Sequence, residues 1–167
     1  MNKLIQYCFV ACCFFYSANV HSQNVMLNAV THHSGIVKIN ETVFFEIKVS
    51  NTSPVIAIPA YKIKIQINFP ESLVNVPDTG HVLPDGWKIL SNKNGVVLLS
   101  NGTDIIAENE NRNLLIAIQG KAVGGPSSIK ANLFFANGIE PGVTAGSSLK
   151  GDNTADNSSS SSIEVRR

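Results

Sequence analysis

Three histidines, His32, His33 and His81, are the side chains best suited to acid–base or metal chemistry in the body of this sequence. His32 and His33 are adjacent, so on a strand they point to opposite faces and cannot share a metal ion. His81 stands alone in a segment typical of a loop. Asp85 and Asp104 belong to the turn sequences DGW and NGTD, where aspartate caps its own backbone, and no serine stands in a G-x-S-x-G turn. The sequence therefore predicts no catalytic residue, no cofactor and no enzyme activity.

The stretch DNTADN, residues 152–157, has the spaced oxygen ligands of a calcium-binding loop. Asp152 and Asp156 would supply the carboxylates that Ca²⁺ prefers. The stretch lacks the central glycine and the downstream bidentate glutamate of an EF-hand loop. Hydrogen bonds within a turn explain the same residue types. We therefore predict no metal site. If this stretch does bind calcium, Asp152 and Asp156 are the candidate ligands.

Aromatic side chains are the candidates for a ligand or partner surface. Trp87 is the only tryptophan, and an exposed ring of this kind stacks on sugars. Its alternation with Ile89 favours instead an inward ring that packs in the core. Phe44 and Phe134 fall among the polar positions of their segments, and as neighbours they would form a small docking patch.

The segments that must position these residues alternate apolar and polar side chains with a period of two. The pattern is clearest in TVFFEIKVS, AYKIKIQINFP, LLIAIQGKA and SIKANLFFA, and it predicts Ile65 buried and Gln66 exposed. WKIL and GVVLLSNG are shorter strands bounded by Asp-Gly and Asn-Gly turns. NVMLNAV is predicted as the first edge strand, with GIVKI as its continuation. Helical periodicity is nearly absent, so the fold class is all-β, an antiparallel β-sandwich of about 7–9 strands.

The stretch GDNTADNSSSSSIEV, which begins at Gly151, allows two interpretations. Its serines favour a disordered tail by composition. The alternation of Ile163 and Val165 with polar residues favours a strand. We predict that residues 151–157 form the tip of a hairpin and that residues 158–165 form the closing strand.

The N-terminus indicates export. Lys3 precedes an apolar run over residues 4–16, and small residues follow at Val20 and Ser22. We predict a signal peptide over residues 1–22 and one domain over residues 23–167; lipoprotein cleavage before Cys12 is the alternative. All three cysteines lie within the predicted signal peptide, which excludes disulfides and a cysteine nucleophile in the mature chain.

The charge of the chain is balanced, with 13 Lys and Arg against 12 Asp and Glu. The lysines are spread singly along the sequence, with no basic stripe. We therefore predict no nucleic-acid partner, and no insertion into a membrane after cleavage, because no other apolar run is long enough.

The motifs taken together resemble a known family. INETVFFEIKVSNTSP resembles the opening of the immunoglobulin-like "conserved repeat" domains of bacterial secreted and surface proteins, in which a strand reading vtftitvtNtG leads into a strand ending in lP. The segments FPESL, LPDGWKI and GDNTADNSSSSSIEV resemble the later parts of the same domain. The resemblance spans residues 24–165. It implies an immunoglobulin-like sandwich, an extracellular setting and a strand role for the serine run.

These observations predict a secreted structural or adhesive module, located outside the cell or on its surface, or in the periplasm. Its partner would be a protein or a surface glycan, and it would act by presenting a surface. The alternative is a carbohydrate-binding module, which requires coplanar exposed aromatic rings or an acidic metal-bound loop. A hydrolase would require polar groups that converge in a pocket, and the sequence indicates none.

Overall fold

The computed structural model describes residues 24–135 and 152–167. The predicted signal peptide lies outside these ranges and stays a prediction. No helix among the described residues is long and apolar enough to cross a membrane. Within the described ranges the chain forms ten strands: β1 (Val25–Thr31), β2 (Ile36–Lys38), β3 (Thr42–Asn51), β4 (Ile63–Asn68), β5 (Val74–Asn75), β6 (Lys88–Lys93), β7 (Val96–Ser100), β8 (Asn111–Gly120), β9 (Gly124–Phe135) and β10 (Ser158–Arg166).

The strands form two sheets that pack face to face as a sandwich. One sheet has four strands in the order β1-β3-β8-β5, and the other has six in the order β2-β10-β9-β4-β7-β6. Neighbouring strands are antiparallel except β2 and β10, which are parallel. The predicted all-β, immunoglobulin-like class is confirmed. The count of ten exceeds the predicted 7–9 because it includes two very short strands, β2 with three residues and β5 with two.

The core follows from the period of two. In β3 and β4 the predicted inward residues Phe45, Ile47, Ile63, Ile65 and Ile67 are all fully buried. Alternate residues of a strand point to opposite faces, so the same periodicity in β8, beside β3, and in β9, beside β4, extends the inner face of each sheet. The predicted inward faces are therefore confirmed.

The outward face of β4 differs from its prediction. Gln66 is half-buried and donates to Asn68 Oδ1 at 3.2 Å, and Lys64 is only 9% exposed. The prediction that Gln66 is exposed is wrong because β4 is flanked by β7 and β9 along its length. Side chains from both neighbours shield the outward residues of such a central strand.

Replacement of Ile65 with alanine tests the core assignment. Ile65 lies between Leu99 and Leu133 of the neighbouring strands and is fully buried. We expect Ile65→Ala to lower the free energy of unfolding by about 2–5 kcal/mol, as large-to-small core changes do. The matched control Gln66→Ala removes a half-buried polar side chain and should cost about 1 kcal/mol or less. Equal shifts of the two urea-unfolding midpoints would show that the inward face of β4 is misassigned.

The segment GIVKI does not continue β1 within the same sheet. A 3-10 turn over His33–Gly35 turns the chain to the six-stranded sheet, where β2 pairs with β10. His33, Ser34 and Gly35 all have positive φ, which reverses the chain direction sharply. A Cβ atom at Gly35 would collide with the carbonyl oxygen of Ser162, so glycine is required at this crossing.

The serine run forms the closing strand, and the alternative of a disordered tail is wrong for it. β10 pairs with β9 along its length and with β2 at its end, and Ile163 and Val165 are buried. The turn before β10 includes a 3-10 turn over Thr154–Asp156. The predicted hairpin tip is described from residue 152 onward, and the rest of this connection lies outside the described residues.

The serines also join the two sheets at one edge. Ser159 Oγ and Ser161 Oγ accept hydrogen bonds from the backbone N–H groups of Ala29 and Thr31 at 2.9 and 3.0 Å. Those N–H groups lie on the free edge of β1, the outer strand of the four-stranded sheet. Serine hydroxyls thus take the place of a neighbouring strand and satisfy donors that would otherwise be unpaired.

Candidate functional site

Trp87 does not contribute to a ligand surface. It is 6% exposed, as its alternation with Ile89 predicts, and its indole Nε1–H donates to Asp104 Oδ2 at 2.7 Å. A ring that is buried on this scale cannot stack on a sugar, so Trp87 is removed from the predicted partner surface. A carbohydrate-binding module that stacks a sugar on Trp87 is therefore excluded.

Trp87 belongs to a polar network that closes one end of the sandwich. Arg112 binds Asp104 with two hydrogen bonds, from Nε at 2.8 Å and from Nη2 at 3.1 Å, and its Nη1 donates to Glu110 at 3.0 Å. These hydrogen bonds raise the pKa of Arg112, and the bond to Asp104 has the largest effect. Both carboxylate oxygens of Asp104 are occupied by donors. The network therefore fixes the positions of the Trp87 and Arg112 side chains, and Asp104 has no unbonded oxygen with which to act as an acid or base.

The two calcium candidates are used by their own turn. Asp152 accepts hydrogen bonds from the Val25 N–H at 3.1 Å and from Asn157 Nδ2 at 2.7 Å. Asp156 Oδ2 accepts from Asn153 Nδ2 at 3.3 Å and from Asn24 Nδ2 at 3.4 Å. The described ranges contain no group of three or more His, Cys, Asp or Glu residues placed to hold a metal ion. These hydrogen bonds fit the turn interpretation, whereas Asp156 Oδ1 and Asn157 Oδ1 are buried without a hydrogen-bond partner among the described residues, so the absence of a metal site stays a prediction.

Phe44 and Phe134 are both half-buried on outward faces, but of different sheets. Phe44 lies in β3 of the four-stranded sheet and Phe134 in β9 of the six-stranded sheet. The outward faces of the two sheets of a sandwich point in opposite directions. The two rings therefore do not form one docking patch, and each belongs to a separate surface.

The surface around Phe44 is a group of apolar side chains on the outward face of the four-stranded sheet, with the acidic Glu46 among them. Val30, Glu46 and Leu115 lie side by side on β1, β3 and β8, and Phe44 lies beside Ala117 two residues further along the same face. Val30 is 51% exposed. The imidazole of His32 meets the Phe44 ring edge-on at 6.2 Å and its Nε2 lies 2.8 Å from Glu46 Oε2.

A loop adds a further apolar residue to this group. Val82 exchanges both backbone hydrogen bonds with Leu115, at 2.9 and 2.8 Å, and is 54% exposed. His81 Nδ1 accepts the Ala117 N–H at 3.1 Å. A Cβ atom at Gly80 would lie in ordinary contact with the Ala117 methyl group, so the loop rests directly on the sheet here. We name Val30, Phe44, Val82 and Leu115 the Phe44 patch.

The sequence did not reveal this anchoring role of His81. Its isolation among loop residues predicts a solvent-exposed side chain, whereas in the structure its Nδ1 accepts the Ala117 N–H of β8. The pairing of Val82 with Leu115 spans more than thirty residues of sequence, and no local signal marks it. The predicted Phe44 was found because it interrupts a polar face within a single strand.

Comparisons with known proteins identify the fold. No protein-family model and no curated protein matches the chain. The structure is similar to the cohesin module of a family 33 glycoside hydrolase from Clostridium perfringens ATCC13124, with a TM-score of 0.54 and 8% sequence identity over 88% of this chain and 98% of that module. At this identity the likeness shows the sandwich fold alone.

Two further structures are similar at lower scores. One is a protein from Nocardia farcinica described as having an immunoglobulin-like fold, with a TM-score of 0.48 and 12% identity over 82% of this chain and 98% of that one. The other is the CARDB domain of PF1109 from Pyrococcus furiosus, with a TM-score of 0.47 and 12% identity over 87% of this chain and 90% of that domain.

Proposed function

We propose that this chain is an exported, non-catalytic structural or adhesive module that binds a partner protein through the Phe44 patch. The observation that carries the proposal is the group of apolar side chains on an outward sheet face. Val30 and Val82 are each more than half exposed, and between them lie the half-buried Phe44 and Leu115. Exposed apolar side chains grouped on one surface are typical of protein interaction sites.

The charged residues Glu46 and Lys48, which lie within and beside the Phe44 patch, indicate the chemistry of the partner. Glu46 lies between Val30 and Leu115 and is paired with His32. Lys48 lies on the same face of β3, beside Asn28 and Asn113, and is exposed. A partner with an apolar centre and a carboxylate opposite Lys48 would complement this surface in both shape and charge.

The rigidity of the surface supports binding without chemistry. Phe44 and Leu115 lie on paired strands in the middle of the sheet, so little conformational entropy is lost when a partner orders them. Asp104 and Arg112, the partly buried acid and base of the Trp87 network, are bonded to each other. The predicted signal peptide and the resemblance to conserved repeat domains support an extracellular setting.

Site-specific photo-crosslinking tests the proposed interface. A photoreactive residue at position 82 should give one discrete adduct with envelope proteins of the producing cell, and the same residue at position 123 should not. Val123 is similarly exposed at 53% and precedes β9, so it is the matched control. The protein found in the adduct would then be purified for binding measurements.

Binding of that purified partner decides the proposal. We expect Val82→Glu to raise the Kd about tenfold or more, because it places an unpaired charge in an apolar interface. Val123→Glu should leave the Kd unchanged. Equal adducts from both positions, or equal Kd values for the two variants, would overturn the assignment of the partner to the Phe44 patch.

A further inference from the structure

The six-stranded sheet collects basic residues on its outward face. Its strands contain a single acidic residue, Glu164, which is bound by Arg166 at 2.8 Å. The other acidic residues of the described ranges lie in loops or on the four-stranded sheet. Four exposed lysines on this outward face come from three of the six strands, Lys38 of β2, Lys88 and Lys93 of β6 and Lys130 of β9, whereas Lys64 of β4 is only 9% exposed. We name this surface the basic face.

The register of the strands spaces these charges apart. Lys130 of β9 and Lys93 of β6 lie in one row across four strands. The two residues between them in this row are Asn68 of β4 and Val96 of β7. Neighbouring strands are about 4.8 Å apart, so the backbones at Lys130 and Lys93 are separated by roughly 14 Å. Both lysines are exposed. The charges are therefore distributed over the sheet and do not form a dense cluster.

Neutral hydrogen-bonding groups occupy the space between and beside the lysines. Ser160 pairs with Lys130, and Ser158 pairs with Asn132, to whose side chain its hydroxyl donates at 3.0 Å. An open groove on this face is lined by Pro126 and by residues of β9 and β10, among which Ser128, Ser160 and Ser162 are exposed. Phe134 and the Tyr61 ring, with Lys88 Nζ 5.9 Å from its centroid, supply aromatic surface at the other end.

We infer that the basic face binds an acidic polysaccharide. Spaced ammonium groups separated by hydroxyl and amide groups complement a polymer whose carboxylates or sulfates are separated by sugar hydroxyls. Duplex DNA fits less well, because the face of a sheet presents no helix or ribbon that could enter a groove. This inference concerns the face opposite the Phe44 patch and does not rest on the proposed protein partner.

Affinity electrophoresis of the purified protein tests the inference. Polygalacturonate and dextran sulfate are the acidic probes, and dextran is the neutral control. We expect retardation by the acidic polymers that weakens as salt is raised, because exposed charges are screened, and none by dextran. Equal retardation by dextran, or none by any polymer, would overturn the inference.

Paired variants locate the binding on the molecule. Lys93→Gln with Lys130→Gln should weaken binding of the acidic polymer roughly 2- to 30-fold, the equivalent of two exposed ion pairs. The control combines Lys48→Gln with Lys121→Gln, which changes the net charge equally but lies off the basic face, and it should leave binding unchanged. Equal losses in the two variants would assign the effect to net charge. Tighter binding to duplex DNA or to anionic vesicles than to both polysaccharides would replace the polysaccharide with that ligand.

Discussion

Deletion of residues 156–167 is expected to unfold the domain. The deletion removes β10, which lies between β2 and β9 and contributes the buried Ile163 and Val165 to the core. Burial of two such side chains contributes about 3–6 kcal/mol, against a total stability of about 5–15 kcal/mol for a domain. The deletion also leaves the edge donors of Ala29 and Thr31 without their serine partners. Far-UV circular dichroism during heating should show no cooperative transition.

A shorter deletion provides the control for this result. Removal of Arg167 alone takes away a residue beyond the end of β10, and the melting temperature should stay unchanged. A synthetic peptide of residues 156–167 should restore part of the transition by strand addition. A truncated protein that melts cooperatively at the temperature of the full chain would contradict the closing role of β10.

The strands and their inward faces could be predicted because both are local properties. Alternation of side chains is visible within one strand, so Phe45 and Ile65 were placed correctly without knowledge of their neighbours. The Asn94-Gly95 turn was visible for the same reason, and both residues have the positive φ values of a two-residue hairpin. The crossing of β2 to the other sheet was missed, because it depends on positive φ at His33 and Ser34, which these residue types seldom adopt.

Surfaces were harder to predict because they depend on strand order. Phe44 and Phe134 were both recognised on polar faces, but the assignment of β3 and β9 to different sheets is not written in either segment. The lysines are separated by many residues in the sequence and show no basic stripe. Strand order and register bring Lys64, Lys93 and Lys130 to one face, and neither is determined by local periodicity.

The serine run illustrates the same limit. Its serines favoured a disordered tail, but the alternation of Ile163 and Val165 with polar residues predicted a strand, and the structure contains one. The reason for serine itself is a contact between sheets: the hydroxyls of Ser159 and Ser161 meet the free edge of β1. Larger apolar side chains at these positions would hold the sheets apart and leave the N–H groups of β1 unpaired.

Replacement of Asp104 with alanine is expected to lower the free energy of unfolding by about 2–4 kcal/mol, because it removes a hydrogen-bonded partner from a partly buried charge and from a buried indole N–H. Asp104 and Arg112 have side chains that are 11% and 21% exposed. The substitution leaves the Arg112 charge without its bidentate partner and leaves the Trp87 Nε1–H without an acceptor. Urea unfolding followed by the fluorescence of Trp87, the only tryptophan, measures the change directly.

Two variants separate the contributions within this network. Glu110→Gln weakens the other ion pair of Arg112, but Glu110 is 49% exposed, so the cost should be about 1 kcal/mol or less. Asp104→Asn retains an acceptor for Trp87 and removes the negative charge, so its cost should fall between those of Asp104→Ala and Glu110→Gln. In Asp104→Ala the folded-state emission of Trp87 should also shift to longer wavelength as the end of the sandwich loosens. Equal unfolding midpoints for Asp104→Ala and Glu110→Gln would show that the two ion pairs contribute alike, and that the Asp104 network does not hold this end of the sandwich closed.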